Sequence, residues 1–126
     1  MIKKITTIAA VVSMVTPAQA SWLRDNKETF CPVLRSVAEV AMEYRQSDRS
    51  VTEALQVTNA MIDKFYQNTS HEVVASMQDL SQGYVREAYR SVVFSTRSYK
   101  DQAVNQFAND KEAQCFDILS RPASRR

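Results

Sequence analysis

The chain has 126 residues, with 16 Lys and Arg against 14 Asp and Glu, one histidine, one glycine and two cysteines. That length fits one small domain able to bury a core without metal, the lone His71 excludes a multi-histidine zinc site, and the near-balanced charge leaves no electrostatic footprint for nucleic acid. With one glycine and three prolines, little punctuates the chain into strands and hairpins, so the composition favours helices.

Residues 1–20 read as an export signal. Lys3 and Lys4 give a positive start, Ile5 to Val15 an apolar stretch, and Ala18-Gln19-Ala20 after Pro17 a small-x-small cleavage site. The apolar run is too short to span a bilayer, and no later segment approaches the roughly 20 apolar residues that a transmembrane helix needs. The expected working protein is therefore Ser21 to Arg126, periplasmic or secreted, without a lipid anchor because no cysteine follows the cut directly. Losing Lys3 and Lys4 takes the basic count from 16 to 14, equal to the 14 acidic residues, so the basic excess belongs to the leader. Arg121, Arg125 and Arg126 make a short basic tail over 121–126, which leaves 21–120 as a single helical domain.

The first helix is expected to open at Pro32, since the first helical position has no use for the N–H that proline lacks. Val33, Leu34, Val37, Ala38, Ala41 and Tyr44 recur at three- and four-residue spacing and share one stripe. Cys31 falls above Leu34 and Ala38, which turns its sulfur inward. Gln46 to Arg49 is polar and interrupts the pattern. Ser50-Val51-Thr52-Glu53 then reads as a capping box, in which the Ser50 hydroxyl and the Glu53 carboxylate each satisfy an exposed backbone N–H. The second helix carries Val51, Ala54, Leu55, Thr58, Met61, Ile62 and Phe65 on one face and is expected to end near Asn68.

Thr69-Ser70-His71-Glu72 repeats the capping pattern and opens a third helix, with Val73, Val74, Met77, Leu80, Tyr84, Val85 and Ala88 at helical spacing to about Tyr89. Gly83 inside it costs about 1 kcal/mol relative to alanine, which points to close approach by another helix or to a kink. Val92, Val93 and Phe94 lie within Ser91 to Arg97 and favour strand in an otherwise helical chain; an extended connection folded over the core is expected there. Ser98 with Asp101 resembles a cap for the last helix, whose Ala103, Val104, Phe107, Lys111, Cys115, Ile118 and Leu119 fall close to one face.

Cys31 and Cys115 thus both start on apolar faces, and export would place them where disulfides persist. One intramolecular bridge is expected, closing most of the chain into a loop for which the chain-entropy model gives roughly 4.6 kcal/mol. An intermolecular disulfide and a pair of free thiols are the alternatives.

Groups suited to catalysis are sparse. A Cys–His nucleophilic pair would be disabled by the bridge, and His71 falls in an exposed first turn. Glu39 and Glu43 lie one turn apart, with Arg35 one turn before Glu39 to pair with it, the usual pattern of an exposed helix face. The sequence carries no Gly-rich phosphate loop, no Gly-x-Ser-x-Gly elbow and no Asp-rich calcium loop, so neither a metal nor another cofactor is expected. Aromatic residues remain, and tyrosine is enriched where one protein docks on another. Tyr84, Tyr89, Phe94 and Tyr99, clustered around the irregular connection, and Trp22 near the mature start are the candidate partner-binding residues. The competing reading has them capping the core with hydroxyls that reach water.

Cys31 opening a helix, the turn Arg45-Gln46-Ser47-Asp48-Arg49-Ser50, the pair Ala88-Tyr89 and the run from Lys100 through Phe107 to Cys115 together resemble a broad group of small exported proteins of proteobacteria and their phages, a group without an assigned function. In that group the turn reads Arg-Gln-x-Gly-x-Ser. Asp48 stands here in place of the glycine, and aspartate enters the left-handed region more readily than most residues. The proline that often follows the Ala-Tyr pair in the group has no counterpart before Pro122. The resemblance implies a fold and a compartment, and no activity.

The expectation is an all-α bundle of about four helices closed by one disulfide, exported, and acting by binding a protein partner in the cell envelope or outside. An inhibitor, immunity or exclusion factor fits that description. The alternative is a periplasmic stress chaperone that loosens in acid, and an enzymatic reading would have to use Glu39, Glu43 or His71.

Overall fold

The computed structural model describes residues 23–120, so the expected leader over 1–20, Trp22 and the basic tail over 121–126 lie outside the described residues. Four helices form the framework: α1 (Lys27–Gln46), α2 (Val51–Phe65), α3 (His71–Ala88) and α4 (Arg97–Leu119), with a helical turn at 23–25 ahead of α1. No strand occurs among the described residues, and no helix there is long and apolar enough to cross a membrane.

Helix α1 packs against each of the other three, and α2 packs against α3. Its buried stripe runs Phe30, Cys31, Leu34, Val37, Ala38, Ala41 and Met42, a three- and four-residue spacing that keeps one face inward. Facing it are Ala54 and Ile62 of α2, Val73, Met77, Leu80, Tyr84, Val85 and Ala88 of α3, and Phe107, Cys115, Ile118 and Leu119 of α4. Truncating a fully buried member such as Leu34 to alanine would cost about 2–5 kcal/mol. Thr58 is also buried, and its hydroxyl donates back to the Ala54 carbonyl at 2.9 Å.

Helices α1 and α4 are antiparallel, and their cross-links run backward along α4 as they run forward along α1. Cys31 and Cys115 are disulfide-bonded, with Cα atoms 5.7 Å apart. One turn on, the Arg35 guanidinium donates to Asn109 and lies 3.7 Å from the Glu112 carboxylate. At the far end Lys100 Nζ donates to the Gln46 carbonyl at 2.6 Å.

Several helix ends differ from the expected ones. Helix α1 opens at Lys27 and not at Pro32, because Phe30 and Cys31 extend the buried stripe a turn toward the N-terminus. Pro32 sits on the exposed side, as does Glu28, whose carbonyl loses the N–H that proline lacks and can take water instead. Helix α2 starts as expected: Ser50 Oγ accepts from Glu53 N at 3.1 Å, and the Glu53 carboxylate accepts from Ser50 N at 3.2 Å. It ends at Phe65, ahead of Asn68, and its terminal Val51 and Phe65 are exposed. Helix α3 is capped by Ser70, accepting from Val73 N at 3.4 Å, in place of the Thr69–Glu72 box. Gly83 lies half-buried inside it, without a positive φ. Helix α4 is capped by Thr96, two residues before Ser98, while Asp101 pairs with Arg97 at 3.8 Å.

Lys111 lies on the apolar face of α4 with its side chain 1% exposed. A lone ammonium there would cost several kcal/mol in lost hydration. Its Nζ lies 2.5 Å from Glu87 Oε2 on α3, and the Tyr84 and Phe107 rings face it at 5.6 and 5.2 Å. The pair therefore ties α4 to α3 through the core.

Candidate interaction surface

The C-terminus of α1 closes in a tight turn. Asp48 N donates to the Arg45 carbonyl and Arg49 N to the Tyr44 carbonyl, each at 3.0 Å, and Asp48 takes φ 59°. This is the Schellman arrangement, in which a left-handed residue just past the cap brings two N–H groups back onto the last carbonyls. The Arg49 guanidinium then stacks 4.6 Å over the Tyr44 ring. The turn is bolted to α3 by the Tyr89 hydroxyl, 2.8 Å from the Arg49 carbonyl and 3.1 Å from that of Ser50.

The same corner holds the connection between α3 and α4. Arg45 lies 5.5 Å over the Tyr89 ring and donates through Nε to the Ser91 carbonyl at 2.9 Å. Gln46, only 3% exposed, grips two further points of the connection: its Nε2 donates to the Val92 carbonyl at 2.8 Å, and its Oε1 accepts from Phe94 N at 2.9 Å. One side-chain amide thus supplies both a donor and an acceptor to an irregular connection. Lys100 completes the clamp from α4 through its bond to the Gln46 carbonyl.

With the backbone held inward, the side chains point out. Val92 is 63% exposed, Tyr99 58% and Phe94 36%, Val93 is exposed as well, and the Phe94 and Tyr99 rings lie 5.9 Å apart. The connection is fastened to the C-terminal end of α1, and its apolar side chains do not enter the core. Polar backbone atoms are what it buries, which is why a run of strand-forming residues is exposed.

Beside this patch a groove of about 380 Å³ runs between α1 and α4, lined by Glu39, Glu43, Gln46, Ser47, Arg97, Lys100, Asp101, Val104 and Asn105. Arg97 is engaged by Asp101 and Lys100 by the Gln46 carbonyl. Arg35, expected beside Glu39, reaches across to Asn109 and Glu112 instead, so neither Glu39 nor Glu43 has an ion-pair partner among the described residues. Partial burial raises the Glu43 carboxyl above the ordinary carboxylate value, and the nearby Glu39 and Asp101 charges raise it further.

The candidate aromatic residues thus fall into different places. Phe94 and Tyr99 lie together on the exposed patch. Tyr89 is half-buried, with its hydroxyl spent on the turn. Tyr84 is 2% exposed inside the core and offers a partner no surface, and its hydroxyl, far from reaching water, has no hydrogen-bond partner among the described residues. Trp22 lies outside the described residues. His71 is exposed at the start of α3 and does not line the groove, and no group of three His, Cys, Asp or Glu among the described residues could hold a metal. Gln46 went unrecognised as a structural residue because it reads as the start of a polar break. The available signal was its spacing, four residues after Met42 on the buried stripe.

The Arg45–Ser50 turn, Tyr89 and Lys100 meet at this corner as structural fastenings. Comparison with protein-family models, with curated proteins and with solved structures returned no match.

Proposed function

We propose that this chain is an exported, non-enzymatic protein of the periplasm or extracellular space that works by covering a partner protein's surface, as an inhibitor, immunity or exclusion factor does. The observation that carries this reading is the exposure of Val92, Val93 and Phe94 on a connection whose backbone is fixed by Arg45 and Gln46, with exposed Tyr99 beside them on α4. Contiguous apolar surface on a small protein commonly marks an interaction site, and a backbone held before binding loses little entropy when a partner docks. The bridge between Cys31 and Cys115 is compatible with an oxidising compartment. The test is a quantitative pull-down from cell-envelope extract, run side by side with the wild-type chain and a Val92→Ser/Phe94→Ser variant. The reading expects a protein recovered by the first and lost by the second, with binding reproduced by the purified pair. Identical recoveries would sink it.

A second reading, an acid-activated chaperone, draws support from the Lys111–Glu87 pair. Lys111 is held in the core by its Glu87 partner, and a change that separated the two would leave an uncompensated buried ammonium and loosen the core. A near-UV CD spectrum unchanged down to about pH 3 would rule this out.

A further inference from the structure

We infer that the partner segment received by this corner is a polypeptide carrying a lysine or arginine beside apolar or aromatic residues, with the cation seated in the groove at Glu39 and Glu43 and the apolar side chains on Val92, Phe94 and Tyr99. The inference rests on the docking reading above and adds the chemistry of the partner.

Patch and groove are one surface. Gln46 fixes the backbone beneath the patch and lines the groove, and Lys100 both lines the groove and holds the Gln46 carbonyl. The groove brings three carboxylates against two cations, one net negative charge: Arg97 pairs with Asp101, and Lys100 is held by the neutral Gln46 carbonyl and keeps its charge. Glu39 and Glu43 are one helical turn apart, a spacing at which like charges repel, and they sit in a concavity that concentrates their field. A guanidinium or ammonium from outside would relieve that repulsion and be drawn in by it. The same charges argue against the other occupants. An anionic membrane touching the patch would face the carboxylates, and a second copy docked by a two-fold interface would bring identical carboxylates toward each other.

The experiment is selection from a random peptide library displayed on phage against the exported chain with its disulfide intact. It runs in parallel with Val92→Ser/Phe94→Ser and Glu39→Gln/Glu43→Gln variants and with vesicles containing phosphatidylglycerol. The glutamine variant removes no ion pair, and a melting curve within a few degrees of wild type would confirm that it folds. The expected result is enrichment of peptides that place Lys or Arg next to aromatic or aliphatic residues. Their affinity, read by fluorescence anisotropy, should fall about five- to tenfold in the glutamine variant and weaken as salt rises. Enriched peptides without basic residues, or affinities unmoved by the glutamine variant, would overturn the inference while leaving an apolar docking site in place. Enrichment no greater than on the serine variant would overturn both. Patch-dependent binding to the vesicles in preference to every peptide would overturn the inference in favour of a membrane surface.

Discussion

The two ends of the α1–α4 pair are closed by different chemistry. At one end Cys31 and Cys115 form a covalent bond amid buried Leu34, Ile118 and Leu119. At the other, Gln46, Arg45, Lys100 and Tyr89 do the same job with hydrogen bonds to backbone atoms. A disulfide and an apolar cluster draw their own side chains inward. A polar clamp that grips backbone leaves the gripped side chains free, and here they are Val92, Val93 and Phe94. The bundle can thus be firm at both ends while the polar end displays the cluster of Val92, Val93, Phe94 and Tyr99.

Breaking the covalent end should have the largest effect. Replacing both cysteines by alanine is expected to cost about 2–5 kcal/mol, more than most single contacts supply, because the bridge closes a long loop. Each kcal/mol should lower Tm by about 4–8 °C in a domain of this size, so differential scanning calorimetry would show a loss of ten degrees or more. The polar end should respond more locally. Gln46→Ala removes both side-chain hydrogen bonds to the connection and leaves the Val92 carbonyl and the Phe94 N–H without them. A loss of about 2 kcal/mol is expected, together with faster limited proteolysis between Ser91 and Thr96. Gln46→Glu sharpens the point, since a carboxylate can accept from Phe94 N but cannot donate to Val92 O.

The turn beneath that clamp should respond less, and in both directions. Asp48 holds φ 59°, so Asp48→Gly is expected to stabilise by under about 1 kcal/mol, whereas Asp48→Val should destabilise by about 1–2 kcal/mol in urea titrations. The smallest effect at neutral pH belongs to Tyr84→Phe, within about 1 kcal/mol of wild type, because the removed hydroxyl makes no hydrogen bond among the described residues. At high pH the two chains should separate. Burial, and secondarily the Glu87 charge, raises the Tyr84 hydroxyl above the ordinary phenol value. The folded state therefore holds that proton more tightly than the unfolded state, and wild-type stability falls as pH rises past about 10. Tyr84→Phe should show a shallower alkaline decline, with Tyr66 and Tyr89, both raised by burial, contributing to what remains.

Local patterns in the sequence disclose the covalent end well. The stripe from Leu34 to Ala41 and the apolar neighbours of Cys115 are visible there, as is the Ser50–Glu53 cap at the other end, because each depends on residues three or four apart. The polar end is legible only in pieces. Gln46 meets Val92 and Phe94 across 46 and 48 residues, and no spacing rule reports such a pairing. Strand propensity at Val92 to Phe94 correctly marks an irregular segment, but it cannot say whether side chains or backbone face the core. Lys111 falls on the apolar face by spacing alone; that it is buried depends on Glu87 of the neighbouring helix. The early start of α1 shows the same limit, since burial of Phe30 and Cys31 outweighs the preference of Pro32 for a first turn.

Hydrogen exchange at the Phe94 amide tests the polar clamp most directly. If Gln46 fixes the connection so that its apolar side chains are displayed, this amide in an otherwise irregular segment should exchange at least about a hundredfold more slowly than in an unstructured peptide. The Gln46→Ala variant should abolish that protection while the amides around Leu34 stay protected. Exchange of Phe94 at the unstructured rate in the wild-type chain would mean that the connection is loose, and that the exposed patch is not held ready for a partner.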